Sequence, residues 1–150
     1  MKFTKMQGLG NDYVYVNCFQ EKIENPVEVA IKVSNRNFGI GSDGLIMINP
    51  SKVADFEMEM YNADGSRGEM CGNGARCICR FAYENGIAGD NMTVETDAGL
   101  VEGTRLDSIQ YRVKLNNPGI IDLHRKEDVA YVELGTPGVP HAIKEVQGLE

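Results

Sequence analysis

The groups in this sequence best equipped for chemistry lie in Asn62-Ala63-Asp64-Gly65-Ser66-Arg67-Gly68-Glu69-Met70-Cys71-Gly72-Asn73-Gly74-Ala75-Arg76-Cys77. Helical spacing sets in after Gly74, so Cys71 stands just before a helix. There the unpaired backbone N–H groups and the positive end of the macrodipole favour thiolate over thiol. The flanking glycines carry no side chain, and their amides can approach an anion closely, as helix N-termini do for phosphate or carboxylate. A thiolate beside a carboxylate cradle is suited to removing a proton next to that carboxylate. The same glycines could instead make a tight strand-to-helix turn, with Cys71 a small inert hydrophobe; the neighbouring asparagines favour the chemical reading. Asn11, in Gly8-Leu9-Gly10-Asn11, is an amide able to donate to a carboxylate and accept from an ammonium. On spacing alone Asn11, Asn62 and Asn73 read equally as turn residues that tolerate positive φ. Gly8–Gly10 lacks both the dinucleotide-binding pattern and the GK[ST] ending of a phosphate loop.

Metal chemistry is not expected. Cys77 and Cys79 are two residues apart on a helix and point about 200° apart, so they cannot share one ion. Both read as buried core thiols, as does Cys18 in a strand. Of the two histidines, His124 and His141, only His141 has a claim to a site, because the Gly135–His141 segment reads as a Gly/Pro-rich loop.

The elements that must position these groups are legible from periodicity. Tyr13–Cys18 is rich in strand formers and follows a glycine-rich loop. Asn25-Pro26-Val27-Glu28 is a helix start, with Asn as N-cap, Pro at the first position and Glu three residues on. The helix it opens runs toward Asn35 and gives way to a flexible loop, Phe38–Gly44, then to the apolar run Leu45–Ile48. Phe56, Met58 and Met60 alternate with Glu57 and Glu59, the period of a half-buried strand. The helix after Gly74 is apolar nearly all round, leaving only Arg76, Arg80 and Glu84 as a polar stripe, so it is expected at the centre of the fold with sheet about it. Strands follow at Met92–Thr96, Gly99–Arg105 and Ile109–Leu115. Asn116-Asn117-Pro118-Gly119 reads as a boundary. Beyond it, short strands at Ile120–Leu123 and Val129–Leu134 flank the charged His124–Asp128.

The 150 residues are 42% hydrophobic and 25% charged, with 15 Lys+Arg against 22 Asp+Glu for a net charge of −7. Those are ordinary globular values, enough for one domain with a real core. An acidic balance without a basic run argues against nucleic acid and acidic membrane surfaces as partners. No stretch approaches the roughly 18 apolar residues of a membrane helix, and four reduced cysteines fit the cytoplasm.

Four segments taken in order resemble the diaminopimelate epimerases: Met6-Gln7-Gly8-Leu9-Gly10-Asn11-Asp12-Tyr13, Asn37-Phe38-Gly39-Ile40-Gly41-Ser42-Asp43-Gly44, Tyr61-Asn62-Ala63-Asp64-Gly65-Ser66 and Met70-Cys71-Gly72-Asn73-Gly74-Ala75-Arg76-Cys77. The resemblance implies an α+β fold, a mixed, barrel-like β-sheet wrapped around a central α-helix, with the family chain made of two such halves and the site between them. It implies an N-terminal epimerase domain over 1–116 and the beginning of a second, truncated domain over 117–150. The implied reaction is cofactor-independent interconversion of LL- and meso-diaminopimelate, serving lysine and peptidoglycan-precursor biosynthesis. Two cysteines face opposite sides of the α-carbon, and Cys71 matches the one from the first half. Asn11, Asn62 and Asn73 match residues that hold the substrate's polar groups, the Gly72 and Asn73 amides take up carboxylate charge, and His141 matches a histidine that tunes the thiols. Gly44 stands where some members carry glutamine, and Val139 where others carry asparagine.

The second cysteine motif is missing from these residues, so the 150-residue chain alone is expected to be an inactive fragment whose partners are the amino-acid substrate and the C-terminal half. Three alternatives accompany this: a related cofactor-independent isomerase of the same fold; a binding or structural module; and a homodimer formed through strand edges of the tail.

Overall fold

The computed structural model describes residues 1–115, 117–134 and 139–148, with Val139 described in its backbone only. Asn116 of the expected boundary, residues 135–138 of the expected loop and the Val139 side chain therefore lie outside the described residues. Two compact units are present, Met1–Lys114 and Leu115–Glu150.

In the first unit the strands are β1 (Thr4–Gly8), β2 (Asn11–Asn17), β3 (Gly44–Asn49), β4 (Phe56–Asn62), β5 (Arg67–Gly68), β6 (Asn91–Thr96), β7 (Gly99–Arg105) and β8 (Tyr111–Lys114), with helices α1 (Pro26–Ser34) and α2 (Gly72–Glu84). They form one mixed sheet in the order β1-β2-β3-β4-β6-β7-β8, with β5 paired to β4. Two parallel pairs carry the topology: β2 with β3 across α1, and β4 with β6 across α2. Because β3 and β4 are antiparallel, the two pairs run in opposite senses while stepping the same way along the sheet. The right-handed crossover rule then puts the two helices on opposite faces. Their packing agrees. Tyr13, Tyr15, Ile46, Ile48, Met58 and Met60 pack with Ala75, Ile78 and Phe81 of α2, while Val14, Val16, Leu45, Met47 and Tyr61 pack with Ala30 of α1. Cover on both faces explains why β2 and β3 lack the alternation of a half-exposed strand.

The sheet curls until both its edge strands, β1 and β8, touch α2. This is the expected α+β arrangement of a barrel-like mixed sheet around a central helix. Helix α2 buries Gly74, Ala75, Cys77, Ile78, Cys79, Phe81 and Ala82. Arg80 on its polar stripe donates from Nε to Glu84 at 2.7 Å. At the start of α1, Asn25 caps as expected by accepting from the Glu28 amide at 3.3 Å. Glu28 answers through the Asn25 side-chain amide at 3.1 Å.

Several local expectations need correction. The glycine-rich loop before β2 contracts to a two-residue hairpin turn, with Gly8 facing Asn11 and positive φ at both Leu9 (55°) and Gly10 (84°), the signature of a type I′ turn. The expected flexible loop over 38–44 is tied down instead: the Ile40 and Gly41 amides both donate to Val33 O at 2.9 Å, and the Ser42 amide donates to Ser34 O at 3.2 Å. These bonds satisfy carbonyls left open at the end of α1. Strand β8 is shorter than Ile109–Leu115, and Ile109 is 70% exposed.

The second unit is an antiparallel sheet of β9 (Pro118–Lys126), β10 (Val129–Leu134) and β11 (Val139–Lys144) in the order β11-β10-β9. The charged His124-Arg125-Lys126 continues β9 rather than separating two strands. His141 stands on strand β11, opposite Val132, and not in a loop. Strands exposed along most of their length, as β9 and residues 140–144 are, leave no apolar period in the sequence, so neither feature is legible there.

Candidate functional site

Cys71 is the N-cap of α2, in an extended conformation (φ −133°, ψ 116°). Its Sγ accepts from the Gly74 amide at 3.4 Å, while the Ala75 amide donates to Cys71 O at 2.7 Å to close the first helical turn. The Gly72 and Asn73 amides precede that turn and have no acceptor among the described residues. Two N–H groups at a helix N-terminus, adjacent to a half-buried sulfur, form a place for a carboxylate beside a thiol. Gly74 lets the turn seat itself, since a Cβ there would come within 2.8 Å of Ile46 Cδ1. The β1–β2 hairpin closes against the same turn: a Cβ on Gly8 would meet Asn73 O at 3.3 Å.

Alternation along β2 puts Asn11, Tyr13 and Tyr15 on the α2 side of the sheet. Asn11 reaches the sulfur, with the Cys71 thiol donating to Asn11 Oδ1 at 3.1 Å. The other end of the same amide donates from Nδ2 to Asp43 Oδ2 at 2.7 Å. That carboxylate oxygen also accepts from the Asp12 amide at 3.0 Å, and Asp43 Oδ1 accepts from Arg36 at 2.9 Å. On the outward face Asp12 is held by Arg36 at 2.8 Å and Lys5 at 3.0 Å. The Arg36 guanidinium and the Lys5 ammonium hold the Asp12 carboxyl down at about 2 against the opposing effect of burial. Tyr13 is buried beside the thiol; burial, and then the proximity of Cys71, push its phenol up to about 12. It is therefore a neutral hydrogen-bonding group through the physiological range.

Of the residues singled out in the sequence, the structure brings Cys71, Gly72, Asn73 and Asn11 together. Asn62 lies at the same end of the sheet through its register with Gly44, but its side chain donates to Ser66 Oγ at 3.0 Å inside its own turn. Asn73 accepts from Arg76 through Oδ1. His141 belongs to the second unit. Asp43, Arg36 and Tyr13 complete the surroundings of the sulfur and no local pattern marks them as site residues, although Asp43 and Tyr13 stand within the segments that carry the family resemblance. Burial separates the remaining thiols from this role: it raises Cys18 and Cys77, and carries Cys79 up to about 12. Among the described residues no three His, Cys, Asp or Glu side chains cluster to hold an ion. A cavity of about 320 Å³ opens on another flank of α2, between Gly8, Arg76, Arg80 and Tyr111. Cys71 does not line it.

This architecture is shared with solved structures. A hydroxyproline epimerase from Agrobacterium vitis, with bound trans-4-OH-L-proline, superposes with a TM-score of 0.65 at 14% identity, covering 95% of this chain and 51% of that one. A phenazine biosynthesis protein of the PhzF family from Bacillus anthracis gives a TM-score of 0.64 at 16% identity, over 95% and 54%. At such identities the likeness defines the fold class, a curled mixed sheet around a helix.

Sequence comparison is more specific: the chain belongs to the diaminopimelate epimerase family, whose model matches residues 3–118. The diaminopimelate epimerase of Acetivibrio thermocellus is 60% identical over 101 residues, 67% of this chain and 36% of that protein. The diaminopimelate epimerase of Agathobacter rectalis is 48% identical over 140 residues, 87% of this chain and 49% of the relative. The chain thus spans between a third and a half of these relatives' length.

Proposed function

We propose that this polypeptide supplies the first-half thiol of a diaminopimelate epimerase, an isomerase of lysine and peptidoglycan-precursor biosynthesis working in the cytoplasm. The observation that carries the reading is the Cys71 sulfur at the N-cap of α2, beside two uncommitted helix amides and in contact with the Asn11 amide. In the proposed step the Cys71 thiolate takes the substrate α-proton, and the C–H electron pair moves into the adjoining carboxylate. The Gly72 and Asn73 N–H groups face the charge that develops there, the arrangement that lowers an anionic barrier most. Asn11 and Asn62 orient the polar groups of a zwitterionic substrate. A second thiol, on the opposite face of the α-carbon, returns a proton. None of Cys18, Cys77 and Cys79 stands at a comparable helix start, so that thiol comes from residues beyond these, as in the two-cysteine reading of the family. His141 is assigned the tuning of the thiols on the same grounds.

The test is proton NMR of diaminopimelate in deuterated buffer with this chain. A Cys71-dependent loss of the α-proton signal, abolished in Cys71→Ser, supports the assignment. Loss that persists in Cys71→Ser refutes it. A substrate panel separates the related isomerases, since washout from another amino acid and none from diaminopimelate would replace the substrate.

A further inference from the structure

We propose that Asp43 is a positioning residue that fixes which end of the Asn11 amide faces the Cys71 sulfur, a proposal that rests on the assignment of chemistry to Cys71. An asparagine amide has a donor end and an acceptor end, and by shape alone either could point at the sulfur. Here the choice is dictated by charge. The Asp43 carboxylate can only accept, so it must take the Asn11 Nδ2 group, which it does at 2.7 Å. The oxygen is thereby left to face the thiol, where Cys71 donates to it at 3.1 Å. Asp43 cannot turn away readily, because the same Oδ2 atom accepts from the Asp12 amide at 3.0 Å and Oδ1 is held by Arg36 at 2.9 Å. Its own main chain is pinned as well: the Asp43 amide donates to Asp12 O at 2.7 Å, and Asp43 O accepts from the Ala63 amide at 3.0 Å. The locked amide presents an acceptor that steadies the protonated sulfur and offers nothing to a thiolate. The sulfur is thus aimed through Asn11 by a carboxylate that bonds to the amide and not to the sulfur itself.

Alkylation of the chain by iodoacetamide at fixed neutral pH, followed at Cys71 by mass spectrometry, tests the proposal without any amino-acid substrate. Its outcome is therefore independent of whether diaminopimelate is turned over. In Asp43→Ala the amide is free to swing its N–H toward the sulfur, and the Cys71 rate is expected to rise about tenfold, the usual worth of one hydrogen bond to a charged group. Asp43→Glu restores a carboxylate and is expected to hold the rate within about threefold of the unmodified chain. An unchanged or slower rate in Asp43→Ala, or an Asp43→Glu rate equal to that of Asp43→Ala, overturns the proposal. Should Asp43→Ala fail to fold, NMR of the unsubstituted chain decides. The two Asn11 Nδ2 protons should be widely split, with the one facing Asp43 shifted downfield and slow to exchange. Signals at free-amide positions with rapid exchange would overturn it.

Discussion

The fold has an alkaline limit of its own, set in part by Cys79. This side chain is fully buried on α2, and burial, followed by the neighbouring Cys77, raises its thiol from 9.0 to about 12. The unfolded chain loses that proton near the ordinary value while the native chain holds it. Native stability from this group is therefore intact below pH 9 and drains away as pH rises from 9 to 12. Each unit between the two values is worth about 1.4 kcal/mol, so the loss is about 1.4 kcal/mol at pH 10 and about 4 kcal/mol once pH exceeds 12. Cys79→Ala removes the titration at the cost of about 1 kcal/mol of buried contact. Tyr13 and Tyr15 also titrate upward in the fold, but equally in both chains, so they cancel in the comparison. Urea unfolding is followed by far-UV circular dichroism, since the sequence has no tryptophan. Between pH 8 and pH 10 the stability difference between the parent and Cys79→Ala should shift by about 1.4 kcal/mol in favour of the variant. A difference that stays constant across that interval would refute the reasoning, because it would mean that the thiol ionises alike in both states.

Three further outcomes follow from the packing. A Cβ on Gly103 would sit 2.5 Å from Cys79 Sγ but 3.7 Å from Cys79 Cβ, so Gly103→Ala should cost about 1–3 kcal/mol alone and markedly less in a Cys79→Ala background. Additive costs in the four-member cycle would contradict the contact. Leu9 holds φ 55° while 89% exposed, and Leu9→Asn should stabilise the chain by about 1 kcal/mol in thermal unfolding; a loss of stability would show that its side chain is packed. Asn25→Ala removes the cap on the Glu28 amide and should cost about 1 kcal/mol, with hydrogen exchange rising first over the opening turn of α1.

What the sequence disclosed depended on whether the governing interaction was local. The cap at Asn25, the strand Phe56–Met60 and the central place of α2 were all readable, because each is written in residues three or four apart or in strict alternation. Cys71 at a helix start was readable for the same reason. The link from Asn11 to Cys71 joins residues 60 apart, and that from Asn11 to Asp43 joins residues 32 apart. The second exists because β2 and β3 pair with Tyr13 opposite Gly44, and the first because α2 packs its start against the β1–β2 hairpin; no local pattern encodes either. The ordering of 38–44 was hidden differently: its bonds run from main-chain amides to main-chain carbonyls, so side-chain identity carries no trace of them.

The charges around this site also resolve an apparent conflict. A chain of net charge −7 that sets two carboxylates, Asp12 and Asp43, near a proposed carboxylate cradle should repel its own ligand. The cluster is balanced, however: Lys5 and Arg36 meet Asp12, and Arg36 also meets Asp43. Asp43 can therefore orient the Asn11 amide at short range without presenting net negative charge at longer range, where the helix amides must attract the substrate. Removing Arg36 separates these two effects. In Arg36→Gln, Asp43 keeps its bonds to Asn11 and to the Asp12 amide but loses its counter-charge. Binding of a carboxylate ligand should weaken, and weaken less at high salt, while the Asn11 amide signals stay where they are. A shift of those signals in Arg36→Gln would show that the ion pair, and not the Asn11–Asp43 bond, sets the amide.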